Sequence, residues 1–413
     1  MGVQARLFSQ SAPAGCLLAR NIEASLTTDV DRSSFFVALV LVDVLAAFAD
    51  AISGPYTVLY LVDEAHLGPL SLSAILTVRA LCGIAFGTAF GAWIDRRTSV
   101  APLLLTLVGT SVGYALLAVT TNFAFLLLIA AVPIAIGSAA FSQSIALVKW
   151  HFSRSSLYTA NRAIGVMRAS WSLAWAIGPA IGALVVAKFG FRGAFLTSAA
   201  SGLIALAPLT VVRAKTAFLE PVDVHRSKPS SGSLAVSLAF AALALFHTAL
   251  FMGSIALAIV VTSSLGGAES DVGLMFSLCA ALEIVVMGAL IWRPLKRGER
   301  PAIVAGFAVF VAYFVVLALA RTVGPVFWAQ VLRAVAIGLV SYLGIGFMQS
   351  LMPHRAGAAA ALFSNSAQLG SVVAALGVGA LAQAFGYASI FVACALFSAA
   401  GLVITCLVRP EAD

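Results

Sequence analysis

Residues 162–187 contain the stretch Arg168-Ala-Ser-Trp-Ser-Leu-Ala-Trp-Ala-Ile-Gly-Pro-Ala-Ile-Gly182. The segment is apolar and long enough to cross a bilayer, which takes about 20 residues. As a plain anchor it is badly made. Arg168 sits about two turns in, at a cost of about 3 kcal/mol or more inside a membrane. Trp171 and Trp175 are four residues apart. The Gly178-Pro179-x-x-Gly182 bend frees backbone groups that must find new partners. These features make sense in a helix that lines a cavity and rocks against a neighbour, so the stretch points to a polytopic transporter.

The composition agrees. Of 413 residues, 62% are hydrophobic and 10% charged, with mean hydropathy +1.06; a soluble domain carries about 25% charged residues. The net charge of +8 does not point to nucleic acid, because the basic residues fall in short loops between apolar spans. Cys16, Cys82, Cys279, Cys394 and Cys406 are scattered without a CxxC pair, which predicts neither disulfides nor a metal site. No cofactor is expected. The polar start of the chain has no apolar stretch ahead of Cys16 and does not read as a signal peptide.

Twelve spans are predicted: 34–62, 70–94, 99–120, 123–148, 162–187, 190–212, 233–264, 271–292, 301–320, 324–351, 357–384 and 387–408. The fold class is all-α and membrane-integral. An irregular N-terminal tail (1–33) precedes a six-helix bundle (34–212), a polar linker (213–232), a second six-helix bundle (233–408) and a short C-terminus (409–413). Of the 24 Lys and Arg, 18 fall in the tail, the linker, the C-terminus and the loops on their side; Lys188, Arg192 and Arg321 fall on the other side, and Arg79, Arg168 and Arg333 lie inside spans. Positive charge marks the cytoplasmic side, so both termini and the linker are placed there.

The halves echo each other. Gly91-Ala-Trp-Ile-Asp-Arg-Arg97 ends the second span and Gly288-Ala-Leu-Ile-Trp-Arg293 the eighth; Lys188-Phe-Gly-Phe-Arg-Gly-Ala-Phe195 and Ala384-Phe-Gly-Tyr-Ala-Ser-Ile-Phe391 join the last two spans of each half, about 196 residues apart. Parallel six-span repeats are the layout of the major facilitator superfamily, which the chain resembles over nearly its whole length. Gly178-Pro179-x-x-Gly182 resembles the motif of its antiporter branches, and Asp95-Arg96-Arg97 a shortened form of its charged loop after the second span. The closer resemblance is to bacterial sugar efflux transporters, through Arg168-x-x-x-Ser172-Leu-Ala-Trp175-x-x-Gly178-Pro179, Met352-Pro353-x-Arg355-x-Gly357 with Leu362-Phe363-Ser364-Asn365-Ser366, and Pro55 with Tyr60-Leu61. The resemblance implies export of sugars or glycosides by proton antiport, in a monomer of the bacterial inner membrane. Departures are the loss of charge at Thr98-Ser99 and Gln368 where a basic residue is expected.

Six ionisable residues stand within the spans: Asp43, Asp50, Glu283, Arg79, Arg168 and Arg333. Buried charges need partners or water. Asp43 and Asp50, seven apart, share a face of the first span about 10 Å from one another, and both are candidates for proton coupling. Asp50 near mid-span is the first candidate proton carrier, with Arg79 as its partner; the plainer reading is a fixed ion pair. Glu283 is the second candidate, paired with Arg333. His247 can titrate near neutral pH or simply pack. Arg168, about 9 Å into its span, offers forked donors to sugar hydroxyls or a carboxylate.

A sugar site needs hydrogen-bonding groups and aromatic faces. Gln143, Trp171, Trp175, Asn365 and Gln368 are the candidate contacts, the last two being i,i+3 neighbours on one helix. Asp95, Arg96, Arg97, Gly178, Pro179 and Gly182 are the candidate gating residues. Gly83, Gly87 and Gly91 form a small-residue face suited to close helix packing. A cargo of drugs or amphiphilic metabolites on the same fold is the competing reading. A membrane-embedded enzyme or receptor finds no support: there is no metal-ligand cluster, nucleophile–base pair or GxxxxGK[ST] loop.

Overall fold

The computed structural model describes residues 14–96, 99–152, 157–216, 234–293, 298–352 and 355–408. Ten of its helices are long and apolar enough to cross a membrane. One of these, Ala163–Val212, turns at Gly190, and Ala101–Leu117 is a shorter apolar helix. The result is twelve crossings: α1 (Ala14–Asp63), α2 (Pro69–Arg96), α3 (Ala101–Leu117), α4 (Phe123–His151), α5 (157–189), α6 (191–216), α7 (Leu234–Ser263), α8 (Glu269–Trp292), α9 (Glu299–Leu319), α10 (Val323–Ser350), α11 (Ala356–Phe385) and α12 (Ser389–Leu407). Residues 14–33, expected as an irregular tail, are helical and run straight into α1; their Ala, Leu, Arg and Glu are good helix formers.

The internal repeat is written in the backbone. After α1, Glu64 and Ala65 donate to Tyr60 O and Leu67 donates to Leu61 O. After α7, Ser264 and Leu265 donate to Val260 O and Gly267 to Val261 O. The residues that turn each corner, His66 and Gly266, have φ of 51° and 69°. The α5–α6 and α11–α12 corners also match: Gly190 and Gly386 have φ of 66° and 79° with ψ near ±180°, a region essentially closed to residues with a Cβ. Helix α4 widens into a π-turn at Ala130–Ile134, which contains Pro133, and α10 does so at Gly338–Tyr342.

Large apolar side chains such as Leu184, Phe385, Leu396 and Trp328 stay exposed, as a lipid-facing surface requires. The interior is divided unevenly. One cluster, with Phe35, Leu39, Leu107, Leu147 and Met167, belongs to the first half alone, near the chain start. The other joins Tyr56, Tyr60 and Phe195 of the first half to Val272, Met275, Phe310 and Phe314 of the second. Among the described residues, the core that the two halves share lies toward the end where α1 turns into α2.

Hydrogen bonds mark the same seam. The Ala180 N–H of α5 donates to Ser277 Oγ of α8 at 2.9 Å. Ser73 Oγ of α2 donates to Ala375 O of α11 at 2.7 Å. Gly273 of α8 lies so close that a Cβ there would be 2.5 Å from Pro179 O and would overlap Tyr56 Oη. A Cβ at Gly379 would press into Ser73. All these residues lie within about ten positions, or about 15 Å, of one end of their helices. The two halves are closed against each other at the α1–α2 end.

Candidate functional site

Between the halves, below that seam, is a cavity of about 440 Å³. The first half contributes Leu76, Arg79, Ala80, Gly83, Ile84 and Gly87 from α2 with Ser138, Ala139 and Ser142 from α4. The second contributes Phe251 and Ile255 from α7 with Ser364, Ala367, Gln368, Ser371 and Ala375 from α11. Ser364, Gln368, Ser371 and Ala375 recur at helical spacing, so one face of α11 looks into the space. Ser138, Ser142 and Ser371 each donate to a carbonyl three residues back, at 2.7–2.9 Å. Their lone pairs are left to accept from a ligand, while Arg79 and Gln368 supply donors. Phe251, Leu76, Ile84 and Ile255 give apolar faces. This lining suits a molecule with hydroxyls on its edges and C–H faces.

Asp50 stands behind the cavity wall. Its Oδ1 is 3.7 Å from Arg79 Nη2 and accepts a 3.2 Å hydrogen bond from the buried Tyr114 hydroxyl. The expected Asp50–Arg79 pair is thus present, with Tyr114 as a third member; both charged side chains are about one-third exposed (33% and 36%). The other acidic candidate of α1, Asp43, is fully buried. Its Oδ2 is 3.4 Å from Ser170 Oγ, and its Oδ1 has no hydrogen-bond partner.

In the second half the expected pair is looser. Arg333 is buried, and its guanidinium donates to Ser254 Oγ at 2.6 Å, contacts Gln330 Oε1 at 3.5 Å and lies 4.7 Å over the Phe276 ring. Glu283 feels its field but is not in ion-pair contact. Hydroxyl, amide and ring together take up the guanidinium that sequence alone would hand to the acid. His247 is buried between α7 and α11; its Nδ1 is 2.8 Å from Leu243 O and 3.3 Å from Ser366 Oγ, with Phe246, Phe251 and Phe363 around the ring.

The sugar-contact candidates are dispersed. Gln368 lines the cavity. Asn365 is exposed, one position off the α11 cavity face. Gln143 is buried and donates to Thr106 Oγ1 at 2.8 Å, inside the first bundle. Trp171 packs against Phe141 with the rings tilted by 56° and centroids 4.9 Å apart, and Trp175 covers Gly54, where a Cβ would meet its ring at 3.3 Å. Arg168 is exposed and faces Tyr342 of α10 through space.

Of the gating candidates, Gly178 and Gly182 let α5 touch α1: a Cβ at Gly178 would be 2.5 Å from Ala51 Cβ, and one at Gly182 2.6 Å from the Tyr56 ring. Pro179 O accepts from Tyr56 Oη at 2.9 Å. The stretch is thus a helix–helix contact surface. Asp95 and Arg96 end α2, with side chains outside the described residues, and Arg97 lies outside them altogether. The α2 glycines divide. A Cβ at Gly83 would crowd Ser138 Oγ at 2.8 Å, whereas Gly87 and Gly91 face open space, so close packing ends where the cavity begins. Sequence reasoning missed the serines and Tyr114. The i,i+4,i+7 pattern of Ser364, Gln368 and Ser371 was the available signal for the first.

Comparison with known proteins agrees with this architecture. The model of the Major Facilitator Superfamily matches residues 39–242 and again 239–413, one match per half. A Deinococcus radiodurans protein named as a sugar efflux transporter is 32% identical over 385 residues, covering 91% of this chain and 98% of that protein. Sugar efflux transporter A of Escherichia coli K12 is 28% identical over 91% of this chain and 96% of its own. Among solved structures, a bacterial homologue of the human lysosomal transporter Spinster superposes with a TM-score of 0.70 at 16% identity, covering 91% of this chain and 96% of that one. A nucleoside transporter gives 0.71 at 11% identity, covering 91% and 99%. The chain belongs to the major facilitator superfamily and, within it, to the family of the sugar efflux transporters.

Proposed function

We propose that this protein exports sugars or glycosides across the bacterial inner membrane by alternating access, in exchange for protons. It works as a monomeric carrier and not as an enzyme. The observation that carries the cargo class is the cavity lining: four serines, Gln368 and Arg79 shared between the two halves, in a chain whose relatives are named for sugar efflux. A ligand bonded to both halves at once is what a rocking carrier needs. With the termini in the cytoplasm, as the Lys and Arg distribution favours, the closed α1–α2 end is the outer one and the cavity belongs to an inward-facing state. Asp95, Arg96 and Arg97 then lie at the inner end, where they latch the halves in the opposite state. Asp43, Asp50, Glu283 and His247 are the titratable groups available for coupling.

Phe251, Leu76, Ile84 and Ile255 in the same cavity favour, as a second reading, efflux of amphiphilic metabolites or drugs. Proteoliposomes holding a pH dye separate the two. Lactose or a thio-galactoside should move protons and a cationic dye should not. Gln368→Ala should weaken sugar affinity about fivefold, the worth of one hydrogen bond. A proton signal with the cationic dye alone replaces the sugar reading by drug efflux.

A further inference from the structure

We infer that Asp43, Ser144 and Ser170 form the coupling-cation site, separate from the sugar cavity and enclosed within the first bundle. The inference rests on the antiport reading above and names the residues that would carry it. Asp43 of α1 and Ser144 of α4 are both wholly buried. Asp43 Oδ1 and Ser144 Oγ have no hydrogen-bond partner, although the serine lies against the carboxyl. Ser170 of α5 approaches Asp43 Oδ2 at 3.4 Å, but its hydroxyl already donates to Met167 O at 2.8 Å. A hydroxyl has one proton, so Ser170 serves either Met167 O or the carboxylate, not both. The cluster lacks a positive centre. Among the described residues no Lys, Arg or His forms an ion pair with Asp43.

The charged neighbours are engaged elsewhere. Asp50, seven residues along α1, is met by Arg79 and Tyr114. Arg168, two residues before Ser170 on α5, is exposed. His151 at the foot of α4 stacks on Phe35 at 4.0 Å. An isolated carboxylate in such a place is prohibitively expensive. One monovalent cation supplies the missing positive centre: a proton on Asp43, donated to a serine oxygen, or a sodium ion held by the carboxylate and both hydroxyls.

The purified full-length carrier, reconstituted in liposomes, tests this with wild type, Asp43→Asn and Ser144→Ala/Ser170→Ala. Sugar counterflow needs no gradient, whereas uphill accumulation does. At one proton per sugar, a gradient of about one pH unit sustains about a tenfold sugar ratio. Asp43→Asn should keep counterflow within about twofold and bring the accumulation ratio to about one. Equal loss of both overturns the site, since a merely structural residue lowers them together. Wild type without sugar counterflow refutes the cargo reading instead. Infrared difference spectra taken without sugar give an independent readout. The carbonyl stretch of a protonated buried acid should vanish in Asp43→Asn; in wild type, sodium chloride abolishes it if sodium is the occupant and leaves it if the proton is. Without any Asp43-dependent band in sodium-free buffer, the proposal fails.

Discussion

Gly273 is where the seam can be tested with one methyl group. In Gly273→Ala the new carbon would lie 2.5 Å from Pro179 O and overlap Tyr56 Oη. Neither neighbour can retreat easily: Tyr56 is fully buried, and its hydroxyl is bonded to Pro179 O at 2.9 Å. The strain exists only while α8 lies against α1 and α5, so it acts on the closed seam rather than on the fold of either half. Overpacking costs about 1–3 kcal/mol. Displacing α8 also loses the Ala180–Ser277 bond, worth about 1 kcal/mol net. Together the closed state loses about 2–4 kcal/mol, a shift of about 30- to 700-fold in the open-to-closed ratio at that end. The assay is labelling by a membrane-impermeant maleimide added outside cells. It uses a cysteine at Ser142, which lines the cavity, after replacement of the native cysteines. Labelling should accelerate at least about 30-fold in Gly273→Ala, and Tyr56→Phe in the same protein should restore part of the original rate. Unchanged labelling and transport would mean that α8 relaxes around the methyl group, and the seam would not be the closing contact.

Gly182→Ala drives a carbon against Ile52 O and the Tyr56 ring, within one bundle, and should cost about 1–3 kcal/mol of stability. Gly288, with nothing near its Cβ position, is the control, and Gly288→Ala should gain about 0.5–1 kcal/mol; thermal unfolding in detergent measures both. The Asp50–Arg79 pair is one-third exposed, so a double-mutant cycle with Asp50→Asn and Arg79→Gln should show coupling of about 1 kcal/mol or less in stability. Transport should nevertheless fall, because Arg79 lines the cavity; coupling above about 3 kcal/mol would show a buried structural pair instead.

What was legible in the sequence followed from the membrane. Bilayer thickness sets the length of an apolar run, so twelve spans could be read without partners. The repeated Phe-Gly at 189–190 and 385–386 was readable because a positive φ with ψ near 180° tolerates only glycine. The Asp50–Arg79 pair was readable because a charge in hydrocarbon demands a partner and each stood near mid-span. The sugar contacts were less so. Gln143 and the tryptophans were chosen by residue type, but which way a side chain faces on a mid-bundle helix depends on neighbours far along the chain. Gln143 finds Thr106, 37 residues away. Arg333 shows the same limit: Glu283 was its only acidic candidate, yet a serine 79 residues distant takes the guanidinium. Serines carry no hydropathy signal strong enough to mark a cavity wall, and their spacing gains meaning only once α11 is known to face α2.

The arrangement of the first bundle suggests how a cation held at Asp43 would reach the seam. Asp43 and Tyr56 are thirteen residues apart on α1; Ser170 and Pro179 are nine apart on α5. The same two helices therefore carry both the orphaned acid and the surface on which α8 closes. They are tied between these points by the glycine contacts of Gly178 on Ala51 and Gly182 on Tyr56, which leave little room for one helix to move alone. A cation bound at the acid would act on the spacing of α1 and α5, the two helices against which Gly273 and Ser277 of α8 pack. Coupling requires an element with two arrangements that both ligands bias. The α1–α5 pair meets the spatial part of that requirement, whereas the cavity between the halves is walled by α2, α4, α7 and α11. Sugar in that cavity and a cation at Asp43 would thus act on different helices of one seam, which would let each shift the other's affinity without sharing a site.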